Sequence, residues 1–227
     1  MTTDSPIKCT VIHSRRRTAS MQVTPEGVNV RVPHGVSQAW IDQWLVARQT
    51  WIQRQQSQLQ SHRIDIVQGG RLPFNGEWLE LTWRAGNRTD VSRSGSRLQV
   101  ACGPSSRLTD VEQVTAAIKR WYKRQATAHL SSRLEFWQQQ MQTNISGWKV
   151  RDYKRRWGSC SAVGEVALNW RLMLAEPVLQ DYVIIHELCH LEHFDHSPAF
   201  WRAVAAYCPD WQAHRKSLRQ RSAWMLW

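Results

Sequence analysis

The chain has 227 residues; 42% are hydrophobic and 21% charged. That is enough apolar surface to offset chain entropy, which excludes an acidic disordered chain or a low-complexity fibre. Thirty Lys and Arg against eighteen Asp and Glu give a net charge of +12, shared evenly at +6 by residues 1–110 and 111–227, so no basic tail accounts for it.

In chain order, Thr10–Ile12, Ser20–Val23 and Val28–Val32 read as short strands. Pro25-Glu26-Gly27 supplies turn chemistry before the last of them. A helix is predicted over roughly 38–60, where Trp40, Ile41, Trp44, Leu45, Ala47, Trp51 and Ile52 recur at helical spacing. Gly69-Gly70 breaks the pattern, and Trp78–Trp83 and Leu98–Ala101 read as strands. A second helix starts near residue 110, because Thr109 and Glu112 have the spacing of a capping box, and it runs to about 142. Residues 148–172 read as a hairpin entered by Trp148–Arg151, turned at Ser161–Gly164 and returned by Val166–Trp170. Pro177 opens a further helix that carries residues 182–190, Ser197-Pro198 opens the next, and a last helix covers about 211–223.

No apolar run approaches the length of about 18 residues that a membrane span needs. The start, Met1 to Pro6, lacks the basic and apolar segments of a signal peptide. Five scattered cysteines without a CxxC pair point to a reducing, cytoplasmic setting. Basic clusters occur at Arg15–Arg17, at Arg151, Lys154, Arg155 and Arg156, and at Arg215, Lys216, Arg219 and Arg221. The charge suits weak, salt-sensitive nucleic-acid association, but no nucleic-acid-binding motif accompanies it, and a soluble basic surface is the plainer reading.

His186-Glu187-Leu188-Cys189-His190 is the string that carries chemistry. Four residues of helix turn about 400°, so both imidazoles leave one face about 6 Å apart along the axis, the spacing for one tetrahedral Zn²⁺. Glu187 lies about 100° round from His186, beside the ion, placed to take a proton from an activated water. With nine His and nine Glu in the chain, chance produces such a string about 0.014 times. A catalytic zinc keeps three protein ligands and an open position. His196 is the expected third ligand, because the chain turns back before Ser197-Pro198. His193, the alternative, would lie about 10.5 Å along the axis from His186 in a continued helix. Cys160 and Cys189 are expected in packed surroundings rather than on the metal.

These residues, followed by His196-Ser197-Pro198-Ala199-Phe200-Trp201 and preceded by Arg156–Ser161, Leu168-Asn169 and Asp181–Val183, resemble the YgjP-like metallopeptidases, zincins related to SprT-like and minigluzincin proteins. The resemblance implies a zinc-dependent peptidase with one ion on His186, His190 and His196 and with Glu187 as general base. Some SprT-like relatives act on proteins bound to DNA, so a protease recruited to nucleic acid is the merged alternative; a basic nucleic-acid-associated protein with a structural metal is the other.

A donor besides the metal usually stabilises the oxyanion of peptide hydrolysis. Tyr182, Tyr207, His193, Arg155 and Arg156 are candidates. Trp157-Gly158 has the character of an edge strand with room for a substrate backbone. The expected architecture is α+β: a strand-rich N-terminal region with a helix, 1–105, packed on a zincin-like region, 106–227, with no flexible linker separating them, so that one continuous domain is the alternative. Protein or peptide is the expected substrate.

Overall fold

A computed structural model describes residues 8–24, 27–61, 63–104 and 108–227. Its contacts divide the chain into two compact units, Met1–Arg63 and Ile64–Trp227. In the first unit, β1 (Cys9–Ser14), β2 (Ser20–Thr24) and β3 (Gly27–Pro33) form a sheet in the order β1-β3-β2. β3 is parallel to β1 and antiparallel to β2. Alternation puts Val28, Val30 and Val32 on one buried face, where they meet Ile41 and Ile52. The turn expected at Pro25-Glu26 lies outside the described residues.

The helix expected over 38–60 is two helices, α1 (Gln38–Ala47) and α2 (Gln49–Ser61). Arg48 leaves helical geometry at φ −108°, ψ 5°, and its N–H is shared between Leu45 and Val46 carbonyls. No Gly or Pro marks this break, so apolar spacing alone could not reveal it. Ile41 and Ile52 are the residues of that stripe with no exposure; Trp40 and Trp51 keep a solvent face.

The second unit begins with β4 (Arg71–Phe74), β5 (Glu77–Ala85), β6 (Asp90–Ser94) and β7 (Arg97–Cys102), a sheet in the order β4-β5-β7-β6. The spacing of apolar residues points to β5 and β7 only. β4 carries Pro73, which an edge strand tolerates, and β6 is a polar edge strand. Asn75-Gly76 makes the β4–β5 turn with both residues at positive φ, 50° and 81°.

The buried face of this sheet, with Leu72, Leu79, Leu81, Leu98 and Val100, joins one core with the long helix α3 (Asp110–Met141). The sheet expected to belong to an N-terminal region of 1–105 therefore packs with the C-terminal body. The observed division falls between Arg63 and Ile64, and residue 105 itself lies outside the described residues. The capping box of α3 forms as expected: Glu112 N–H bonds the Thr109 hydroxyl, and the Glu112 carboxylate accepts from Thr109 N–H at 2.8 Å.

After α3 come β8 (Gly147–Arg151), β9 (Gly158–Cys160) and β10 (Glu165–Asn169), in the order β8-β10-β9. The hairpin expected over 148–172 is corrected here. Trp148–Arg151 lies in β8, which pairs with β10 in parallel, and the antiparallel arm facing β10 is β9. β9 is short, includes a glycine and follows a polar loop, so its pattern is too brief to register. Trp170–Leu174 is a 3₁₀ turn, followed by α4 (Pro177–Cys189), α5 (Pro198–Tyr207), α6 (Trp211–Gln220) and a final 3₁₀ segment, Arg221–Leu226.

Aromatic packing fills the centre of this unit. Tyr122 lies among Phe74, Trp121, Trp170 and Trp227, and its hydroxyl donates to the Pro73 carbonyl at 2.5 Å. The Arg171 side chain has no exposure. It pairs with Asp152 at 2.5 Å, donates to the Tyr153 and Trp227 carbonyls and lies 4.4 Å from the Trp170 ring centroid. The architecture is α+β, as expected. No helix among the described residues is long and apolar enough to cross a membrane.

Candidate metal centre and active site

α4 starts with Pro177 at its first position, where the missing N–H costs nothing, and buries Leu179, Val183, Ile184, Ile185 and Leu188. Arg133 of α3 clamps it through two 2.8 Å bonds to the Asp181 carboxylate. The helix ends at Cys189, with His190 as its C-cap. His193 therefore does not continue the helical face. Its backbone carbonyl acts instead, 2.9 Å from His190 Nδ1. With the proton of His190 held there, the Nε2 lone pair is left for a ligand.

The chain then returns through Asp195, whose carboxylate accepts from Ser197 N–H at 3.1 Å. Ser197 caps α5 and Pro198 opens it, as their sequence predicts. This bend brings His196 back. His196 Nε2 stands 3.2 Å from His186 Nε2, and donor atoms of His186, His190 and His196 all lie within 4.8 Å of one another. Two nitrogens bound to one tetrahedral ion at about 2.0–2.1 Å would stand about 3.3 Å apart, so the first pair already has the spacing a metal requires.

The charge state also fits. Burial, then the charges of His190, His196 and Arg215, push the His186 imidazole down to about 3. Burial, His190 and Arg215 lower His196 as well, against the opposing pull of Asp195. Neutral rings that resist protonation are the form that binds a metal. They are held by packing: His190 stacks on Phe200 at 4.6 Å, and His196 stacks on Trp201, which stacks on Trp211 at 4.0 Å. His186 Nδ1 is buried without a hydrogen-bond partner among the described residues, and Phe200 and Tyr182 pack against that ring.

Glu187 is 6% exposed and packs against β9. Burial pushes its carboxyl up to about 8, while the Arg156 charge and a bond from Cys160 N–H pull it down. Its seat exists because residue 158 is glycine. A Cβ there would stand 2.7 Å from Glu187 Oε1 and 2.8 Å from its Cγ. Asn169 holds the approach to this strand: its buried amide donates to the Tyr153 and Arg156 carbonyls, each at 2.9 Å, and its N–H donates to the Trp157 carbonyl.

Two cavities share Arg156, Gly158, His186 and Glu187. One, of about 370 Å³, runs along Ser159 and Cys160 past His190, Phe194 and His196. The other, of about 300 Å³, is bounded by Trp157, Tyr182 and Val183 and by Arg215, Leu218 and Arg219 of α6.

A family model described as YgjP-like, metallopeptidase domain, matches residues 17–221. The chain belongs to the YgjP-like metallopeptidases. Among curated proteins no match reaches significance. Among solved structures, the metallopeptidase zymogen abylysin of Pyrococcus abyssi is similar at a TM-score of 0.37 and 23% identity, covering 39% of this chain and 90% of that one.

The other candidates separate by position. Tyr182 lines the second cavity, and burial pushes its hydroxyl up to about 12, so it is a neutral donor. Arg156 lines both cavities and Trp157 the second. Tyr207, half-exposed at the end of α5, and Arg155 line neither. Cys189 is buried as expected, but Cys160 is only half-buried and lines the cleft, because β9 is an edge strand. The Gly158 seat, the Asn169 staple, Phe194 and the α6 arginines escaped functional assignment. The last carried a signal, since Arg215 and Arg219 were visible as a basic cluster at one-turn spacing.

Proposed function

We propose that this metallopeptidase is zinc-dependent, with His186, His190 and His196 holding one ion and Glu187 as general base. The observation that carries the reading is the convergence of the three rings beside a buried carboxyl. Three imidazoles, with no fourth protein donor grouped with them among the described residues, suit zinc and leave a position open. Zinc, when bound, supplies Lewis acidity, bringing water near its deprotonation point at neutral pH and polarising a carbonyl.

The protein's own residues do the rest. Glu187 takes a proton from the attacking water on a carboxylate oxygen and passes it to the departing amine nitrogen. Its raised affinity for protons suits holding that proton between the two steps. β9 is an edge strand, and its pairing with β10 turns the Gly158 and Cys160 peptide groups away from β10, toward the cleft. An extended substrate adds there as another strand. Tyr182 is the candidate donor to the developing oxyanion, and Arg156 supplies positive charge near Glu187.

The test is Glu187→Gln. The variant is expected to keep stoichiometric zinc by elemental analysis and to lose peptide turnover by at least about 10³-fold. Retained turnover would refute the assigned role of Glu187, and zinc lost along with turnover would leave the base assignment without support.

A further inference from the structure

α6 presents Arg215 and Arg219 one turn apart, on the same face, with Leu218 buried beside them. Like charges at this spacing weaken a helix unless an anion lies between or above them. Arg156 enters the same cavity from the loop before β9. No carboxylate lies at ion-pair distance from any of the three among the described residues, and Arg156 acts on Glu187 only through its charge. Aromatic faces support two of them instead: Arg215 lies 5.1 Å from the Trp201 ring centroid and Arg156 5.3 Å from that of Tyr153. A guanidinium held against a ring keeps its N–H edge available for hydrogen bonds. Among the described residues lining the cavity the one acidic group is Glu187, which is nearly buried. Three cations converge on a concavity whose wall is shared with His186 and Glu187.

From this we infer that the cavity receives a carboxylate of the peptide substrate, so that cleavage is directed to bonds beside an acidic residue or a chain-terminal carboxylate. Guanidinium groups match a carboxylate in geometry as well as charge. A concavity that opens next to the general base places its occupant within about one residue of the bond being cut. A polyphosphate backbone is met by basic charge spread over a face or along a helix, whereas these three arginines line one concavity. The inference rests on the peptidase reading and names its substrate class.

The test has a binding arm and a turnover arm, both on the full chain loaded with zinc. In the first, calorimetry on Glu187→Gln compares peptides differing only by Glu or Gln at one position, with the C-terminus free or amidated. The expected result is binding about tenfold tighter for the acidic member, the low end for charge-assisted bonds in an open cavity. The preference should vanish when Arg215→Gln and Arg219→Gln are added. An advantage that survives amidation assigns the side chain; one that needs the free terminus assigns the chain end. In the second arm, wild type cleaves a quenched fluorescent series with Glu, Gln or Lys at each position. Arg219→Glu should move the preference in kcat/KM from Glu toward Lys. Binding and cleavage indifferent to charge, a preference that outlives the double substitution, or equally strong competition by a short single-stranded DNA would overturn the inference. Selective binding without hydrolysis of any peptide would uphold the pocket and sink the peptidase reading, so the two fail separately.

Discussion

Replacing Gly158 by Ala tests how Glu187, the proposed general base, is positioned. The added methyl would stand 2.7 Å from Glu187 Oε1, 2.8 Å from Cγ and 3.0 Å from Cδ. That is roughly 0.7 Å short of ordinary contact, so the carboxylate must retreat. The Glu187 side chain is nearly buried and bonded to Cys160 N–H, so any retreat loses that bond and takes the proposed base out of its seat. Misplacing a reacting group by about 1 Å costs on the order of 10²-fold, and kcat should fall roughly 30- to 100-fold. Backbone strain does not enter, because Gly158 lies in a strand outside the positive-φ region. Alanine gains about 0.5–1 kcal/mol as a strand residue, less than the lost Cys160 bond and the displaced buried side chain cost, so the melting temperature should fall slightly. The assay is steady-state cleavage of a fluorogenic peptide, with zinc content and near-UV circular dichroism measured on the same samples. A variant within threefold of wild type would refute the reasoning, as would activity lost together with zinc.

Four further outcomes follow from the structure. His190→Ala should lose the metal while His193→Ala keeps it, because the latter acts through its backbone carbonyl; elemental analysis decides. Trp201→Ala removes the ring between His196 and Trp211 and should weaken zinc binding about tenfold in a chelator competition. Burial would raise the Asp152 carboxyl, yet the bond and charge of Arg171, with Lys123, hold it well below the usual carboxylate range. Asp152→Asn should therefore cost about 2 kcal/mol at pH 7 in urea unfolding, a figure discounted for its solvent face, and the gap should shrink as pH falls below 3.8. Glu187, raised from 4.5 to about 8, binds more protons folded than unfolded between those values. The metal-free protein should lose stability as pH rises through that window, and metal-free Glu187→Gln should melt above it at pH 8, by a margin that narrows toward pH 5.

Local rules made much of this protein legible in one dimension. Two histidines four residues apart on a helix must share a face, and Thr109, Pro177 and Ser197-Pro198 announce helix starts through backbone groups only a few residues away. The break at Arg48 escaped, because no Gly or Pro marks it. Pairing and packing lay beyond the sequence. Apolar alternation says that a strand has a buried face, but not which strand it joins or in which direction. Hence β8 lies parallel to β10, and the sheet of β4–β7 shares its core with α3. Glu187 owes its seat to a glycine 29 positions earlier, and the cavity it lines takes two of its arginines from a helix nearly as far ahead. Such contacts depend on shape complementarity between distant segments, which residue spacing does not encode and only the folded chain decides.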